Sequence, residues 1–131
     1  MTRDLHTKLG SMEYEKLFAG LQPPPITGKG TIRKLSAAAT IARGTLLAKS
    51  STDGTLVIFG TAAAQGETLS PDCVLADDIN VGTANDENVA VYLSGCFNEA
   101  ALTMAANTTL TEANRDTLRM KGILLGTVQE P

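Results

Sequence analysis

The apolar residues of this chain fall in short runs, and the run at 89–93 (VAVYL) is the most continuous part of a longer segment, 89–102. Five apolar residues in succession are typical of a strand that is buried on both faces. Gly95 then indicates a bend or a bulge, and Phe97 follows as one of only three phenylalanines. The polar residues of the segment have no base near them in sequence, so we interpret it as a structural strand rather than an active site.

Further short runs, separated by turn residues, predict more strands on both sides of this segment. Asp53 and Gly54 tolerate the positive φ of tight hairpins, so a turn is expected at 51–54, with the strand at 56–59 returning beside 45–48. A second turn is expected at Arg43-Gly44. A long loop is predicted at 60–71 and an acidic loop at 77–88. The other predicted strands are 31–35, 41–48 (interrupted by the turn), 73–76 and 123–127.

A single helix is predicted near the C-terminus. Thr111 is a suitable N-cap, and Glu112 would lie at the positive end of the helix dipole. Gly122 suits the C′ position at which the helix would end. Residues 98–106 are rich in alanine and leave helix and strand unresolved. Short strands at this spacing favour a mainly β fold, either a small barrel or a sandwich, with one short C-terminal helix.

Residues 1–30 have a different pattern and predict an extended N-terminal arm, followed by a β-rich domain at 31–131. Three of the five prolines lie at 23–25, which favours an extended conformation and excludes a central strand. Tyr14, Leu17 and Phe18 have the i, i+3, i+4 spacing of one apolar helix face, on a helix too short to be stable alone. We expect a partner to accept these three side chains; the alternative is that they fold back on their own domain.

Composition and charge narrow the classes of partner. A chain of 131 residues is one domain, and with 4% aromatic residues its core consists of small side chains that each bury little area. Contacts in an oligomer would add stability to such a core. A net charge of −3, with the basic residues scattered along the chain, argues against nucleic acid as a partner.

Sequence features also indicate the compartment. No apolar run approaches the roughly 18 residues needed to span a bilayer. The first ten residues lack the pattern of a signal peptide, so we expect synthesis in a cytoplasm and no membrane partner. Cys73 and Cys96 are accordingly expected to be reduced rather than bridged.

No combination of side chains predicts catalysis, a cofactor or a metal site. His6 is the single histidine, and the arm offers no preorganised site for it as a general base. Segment 27–31 lacks the spacing of a phosphate loop, and no dinucleotide fingerprint follows a strand. The acidic loop lacks calcium-loop spacing, and two cysteines with one histidine are too few for a tetrahedral zinc site. We therefore predict that the protein is not an enzyme and has no small-molecule substrate.

An ordered series of segments resembles the phage head decoration proteins, the family of lambda head protein D. The series extends from the arm to Leu125, so the resemblance covers most of the chain. Its segments, in chain order, are EY to AG at 13–20, RGTLL at 43–47, DCVLADD at 72–78, VYLSGCFN at 91–98, AL at 101–102 and LRMKGI at 118–123.

The resemblance implies a β-tulip-type fold and a structural function in a bacteriophage or prophage. Members of the family resemble clamps: they are trimers on the outside of the expanded capsid, where they tie neighbouring major capsid subunits together and stabilise the head. For this chain the resemblance implies a homotrimer on the virion capsid surface, bound to the major capsid protein after synthesis in the bacterial host cytoplasm.

The resemblance also bears on the arm, because in the lambda-type member the N-terminal segment adds a strand to a sheet of the capsid protein. We therefore expect Tyr14, Leu17 and Phe18 to be capsid-binding residues. Two alternatives stay open: another structural component of a phage virion, and a small-ligand-binding β module.

Overall fold

The structure, a computed structural model, describes residues 17–20 and 23–126. Five of its strands form a closed barrel, and one short helix lies near the C-terminus, so the predicted mainly β fold is confirmed. The elements are β1 (Phe18–Gly20), β2 (Ile26–Ile32), β3 (Ala39–Ile41), β4 (Leu46–Ser50), β5 (Leu56–Ile58), β6 (Leu69–Leu75), β7 (Ile79–Val81), β8 (Glu87–Asn98), helix α1 (Glu112–Met120) and β9 (Ile123–Gly126).

Strand β8 connects all parts of the fold. Its first half pairs with β2 and β6, which closes the barrel in the order β8-β2-β5-β4-β6. Its second half pairs with β1 and β9 instead, and the partners change at Gly95, where φ is +150°. The predicted bend therefore marks the place where the barrel ends. Val91 and Tyr92 are buried as expected, but Leu93 is 44% exposed because it lies at the barrel mouth.

Two glycines of β2 leave room for the side chains inside the barrel. A Cβ atom on Gly30 would lie 2.6 Å from Cδ1 of Leu56, and one on Gly28 would lie 2.5 Å from Cδ1 of Leu93. A larger residue at Gly30 would displace the buried Leu56 side chain, and one at Gly28 would displace the end of the partly exposed Leu93 side chain. Cys73 is fully buried beside them, and this burial raises the pKa of its thiol well above the usual range. Both cysteines are free, as the sequence indicates.

Local turn signals are reproduced in the structure. The turn at Arg43-Gly44 separates β3 from β4, and Gly54 has a φ of +75° in the hairpin between β4 and β5. The two predicted loops are shorter than expected. Strand β6 already begins at Leu69, opposite Ser50, and the acidic loop contains β7, which pairs with β3.

The predicted helix is confirmed, together with both of its ends. The Thr111 hydroxyl accepts a hydrogen bond from the Asn114 amide at 3.2 Å, and Gly122 has a φ of +95°. The alanine-rich segment 98–106, for which the sequence left helix and strand open, begins with the last residue of β8 and continues as a 3₁₀ turn at Glu99–Ala101. Arg115 pairs with Glu99 at 2.7 Å, which ties the helix to that turn.

The sheet begins earlier in the chain than the boundary predicted at residue 30. Strand β2 starts at Ile26 and pairs with β8, and β1 pairs with β8 at Phe97 and Cys96. The glycine-rich sequence of β2 suggests a loop, yet these glycines fit above Leu56 and Leu93. Residues 1–16, which include His6 and Tyr14, lie outside the described residues, as do 21–22 and 127–131.

A polar cluster holds the loop between β5 and β6 against the end of β2. The Glu67 carboxylate is 2% exposed and accepts hydrogen bonds from the Arg33 guanidinium, the Ser50 hydroxyl and, at 3.0 Å, the Ala64 amide. All three bonds favour the charged form, and the bond from Arg33 contributes most. Together they lower the pKa of Glu67 to about 2.

This pKa predicts an acid-sensitive contribution to stability. Because the folded pKa lies below the ordinary value of 4.5, the contribution is present above that pH and is lost as the pH falls towards 2. Glu67→Gln should lower Tm at neutral pH and should reduce the fall in Tm between about pH 5 and pH 2. Thermal unfolding across that range measures both effects, with the exposed Asp77→Asn as the control. Parallel pH profiles for Glu67→Gln and wild type would contradict this role.

Candidate interaction surface

Residues 17–20 dock on the domain as a plug, a name used below for this segment. Leu17 is 5% exposed, and its Cδ1 atom lies against the Gly44 backbone, where an added Cβ would be only 3.3 Å away. The φ of Gly44 is +93°, which also favours glycine at this turn. Leu17 thus contributes an apolar side chain, and Gly44, which has no side chain, leaves room for it.

An aromatic cluster receives the second residue of the plug. The Phe18 ring stacks on Phe97, with centroids 5.1 Å apart, and meets Tyr92 edge-on at 5.3 Å. The Arg43 guanidinium lies 5.9 Å from the Phe18 centroid and donates a hydrogen bond of 3.0 Å to the Tyr92 hydroxyl. Aromatic stacking and a cation–π contact therefore hold Phe18 in place.

The structure thus places two of the three predicted capsid-binding residues in contacts within their own domain. This is the fold-back alternative that the sequence left open. Leu17 is buried there and Phe18 is partly buried, and the contact of either residue with a capsid stays a prediction. Tyr14 lies outside the described residues, so its contact with a capsid stays a prediction.

A different set of apolar side chains is exposed to solvent. Among the described residues, the large hydrophobic side chains with high exposure are Ile26 at 55%, Leu93 at 44% and Met120 at 88%. They come from β2, β8 and the end of α1, respectively. We call these three residues the apolar rim.

The elements that carry the apolar rim meet near Ser94. Ile26 is the register partner of Ser94, and Leu93 directly precedes it. Gly122, two residues after Met120, lies so close that an added Cβ would be 3.2 Å from the Ser94 Cβ. Ile26, Leu93 and the chain that follows Met120 therefore lie near one another at the end of β8 where the barrel closes.

Prolines and lysines surround the apolar rim. The exposed Pro24 accepts a hydrogen bond of 3.0 Å from the Ser94 hydroxyl, which fixes the proline run beside the rim. Lys29 and Lys49 line the barrel mouth with Leu93, and Lys121 pairs with Asp72 at 3.0 Å. The acidic segment that precedes β8 lies at the opposite end, about 20 Å away along the strand.

Sequence patterns alone did not reveal the apolar rim. Ile26 lies in the predicted arm, Leu93 in a run interpreted as buried, and Met120 in the predicted helix, with no signal that marks its exposure. Strict alternation along β8 would have put Leu93 on the same face as Val91 but could not show that the barrel ends there. Only the tertiary fold brings the elements that carry these residues close to Ser94.

The described residues contain neither a group of metal-ligating side chains nor a helix that could span a membrane. Within 17–20 and 23–126, no three His, Cys, Asp or Glu side chains are grouped so that they could hold a metal ion. No helix in these ranges is both long and apolar enough to cross a membrane. The described part of the chain is thus a small β-barrel with a docked N-terminal segment and exposed apolar residues near one end.

Comparison with known proteins identifies the family. The family model described as bacteriophage lambda head decoration protein D matches residues 14–124, which include the plug, the barrel and the apolar rim. The chain therefore belongs to the bacteriophage lambda head decoration protein D family. None of the curated proteins matches the chain. Members of this family are structural proteins of the phage head and are not known as enzymes. Membership of the family supports a role in phage capsid decoration.

Proposed function

We propose that this protein binds as a homotrimer to the outer surface of the expanded capsid, where it clamps neighbouring major capsid subunits and stabilises the head. The apolar rim, at the end of the barrel next to the proline run, is the surface placed against the shell. The observation that carries this assignment is the exposure of Ile26, Leu93 and Met120 on elements whose backbones meet near Ser94.

Burial of the apolar rim supplies affinity without any chemical step. Removing a large apolar side chain from water contributes about 1.5–3 kcal/mol when burial is complete. One rim therefore binds weakly once the entropy lost on association is subtracted. Three rims on one trimer act together, and such multivalency raises overall affinity by roughly 10²- to 10⁴-fold without a new kind of contact.

The capsid-binding part of the arm lies before the plug in this proposal. Leu17 packs on Gly44, and Phe18 packs on the aromatic cluster. Tyr14 is therefore the predicted anchor that we assign to contact with the shell. An extended segment before Leu17 would add a strand to a sheet of the capsid protein, as the family resemblance implies. Synthesis in the host cytoplasm and assembly on the shell after expansion complete the proposal.

Binding to undecorated, expanded shells of the phage that encodes this chain tests the proposal. Wild-type protein should sediment with the shells and saturate at one trimer per three-fold or quasi-three-fold position. The double variant Ile26→Asp/Leu93→Asp should bind at least about 100-fold more weakly, because two charges would have to be buried against the shell.

A matched variant separates the apolar rim from a general effect of charge. Ala62→Asp/Ala63→Asp adds the same charge on exposed positions of the loop held by Glu67 and should bind like wild type. Equal binding by the rim variant and wild type would remove the rim from the interface. Failure of the wild-type protein to bind expanded shells would contradict the proposed function itself.

A further inference from the structure

Strand β2 is fully paired along only one of its two edges. It pairs with β8 over its whole length, from Ile26 to Ile32. Its pairing with β5 consists of one register pair, Ile32 with Leu56, beside a hydrogen bond of 3.0 Å that the Arg33 amide donates to the Leu56 carbonyl. The rest of this edge has no neighbouring strand among the described residues. We call this part of β2, residues 27–31, the open edge.

The hydrogen bond of Arg33 fixes the direction of the backbone groups along the open edge. Successive residues of a strand direct their amides to opposite sides, so the amides of Lys29 and Thr31 point to the same side as that of Arg33. The amides of Gly28 and Gly30 point to β8 instead. Strand β5 begins beside the end of β2, so no strand lies beside the Lys29 and Thr31 amides. These two amides are therefore the donors that an added strand would use.

The space beside the open edge is positively charged. Lys29 lines the cavity at the barrel mouth from β2, and Lys49 lines it from β4. Asp72 also lines this cavity, but its carboxylate pairs with Lys121 at 3.0 Å. Within the described part of the chain, neither Lys29 nor Lys49 forms an ion pair. Two ammonium groups without a carboxylate partner there thus lie next to the open edge.

This charge determines which kind of strand suits the open edge. An unpaired edge is a template for another extended segment. Lysine on the edge disfavours pairing between two copies of the chain, because like charges would meet. A segment with acidic side chains has the complementary charge. In this mode of recognition main-chain hydrogen bonds supply affinity and side chains supply specificity.

We propose that the open edge receives an extended, acidic segment of the major capsid protein. The backbone of the segment accepts hydrogen bonds from the Lys29 and Thr31 amides, and its carboxylates lie near Lys29 and Lys49. Ile26 of the apolar rim begins the same strand, so the two surfaces adjoin. This contact belongs to the barrel and is separate from strand addition by the arm. The inference rests on the proposed function and adds the strand of the barrel that pairs with the shell.

Hydrogen–deuterium exchange of single amides tests the pairing directly. The full-length protein, free and bound to expanded shells, is exchanged, quenched and analysed by mass spectrometry with fragmentation that resolves single residues. The Lys29 and Thr31 amides should exchange fast in the free protein and at least about tenfold more slowly on the shells, because they gain hydrogen bonds there. The Gly28 and Gly30 amides, which bond to β8, should exchange slowly in both states.

Charge reversal tests the acidic character of the segment. Lys29→Glu should weaken binding to expanded shells by about tenfold or more, because two carboxylates would then meet. Lys34→Glu is the matched control at an exposed position near the opposite end of the barrel, where the Lys34 amide bonds to Asp86. Its binding should stay within about twofold of wild type. Equal binding by the two variants, whether weak or tight, would overturn the acidic segment.

The exchange experiment separates failure of this inference from failure of the proposed function. Unchanged exchange at Lys29 and Thr31 on shells that do bind the protein would overturn the pairing and leave the proposed function intact. Slow exchange of both amides in the free protein would mean that the chain itself or a second copy covers the open edge, which also overturns the pairing. Failure of the wild-type protein to bind the shells would contradict the proposed function and this inference with it.

Discussion

Phe97→Ala should lower the free energy of unfolding by about 3–5 kcal/mol, the largest effect we expect from a single substitution. The Phe97 side chain is fully buried where β8 leaves the barrel, and its ring lies 5.1 Å from Phe18 and 5.7 Å from Tyr92. Truncation therefore removes apolar burial, leaves a cavity and breaks two aromatic contacts. Urea unfolding at one fixed protomer concentration measures the change, because assembly makes stability depend on concentration.

Phe97→Leu serves as the graded control for this substitution. Leucine restores most of the apolar volume but neither aromatic contact, so its cost should lie well below that of alanine. A cost for Phe97→Ala within about 1 kcal/mol of wild type would mean that the aromatic cluster does not hold the second half of β8 in place.

Leu17→Ala should lower the free energy of unfolding by about 2–5 kcal/mol, as expected for a buried leucine. Leu17 is 5% exposed and packs on the Gly44 backbone, so alanine would leave the site of the plug partly empty. Leu93→Ala is the matched control, because Leu93 is 44% exposed and its truncation should cost far less.

The same measurement separates the two interpretations of the arm. If Leu17 were exposed to solvent in the free protein, it would contribute almost nothing to stability. Leu17→Ala would then change the free energy of unfolding by less than about 0.5 kcal/mol. A change of that size would contradict the docked plug and restore Leu17 as a candidate for capsid contact.

Elements with local signals could be predicted from the sequence. The hairpin at Asp53-Gly54 and the helix between Thr111 and Gly122 depend on residues next to each other in the chain. The apolar run in β8 is likewise a local signal. Each of these elements is present in the structure because turn, cap and burial preferences agree there with the tertiary fold.

Elements defined by distant partners could not be predicted in this way. Strand β2 consists largely of polar residues and glycine, and it becomes a strand because β8, whose paired residues lie 55 to 68 positions later in the chain, accepts it. The plug was predicted as part of a free arm because the aromatic cluster that receives it also comes from distant positions. The apolar rim has the same origin, since Ile26, Leu93 and Met120 come from three separate elements.

The most direct test of the capsid-decoration account is a cryo-electron-microscopy reconstruction of the expanded shell saturated with this protein. The account predicts trimeric density at the three-fold and quasi-three-fold positions, with Ile26, Leu93 and Met120 buried against major capsid subunits. Shells without added density, or trimers that turn the apolar rim towards solvent, would contradict it.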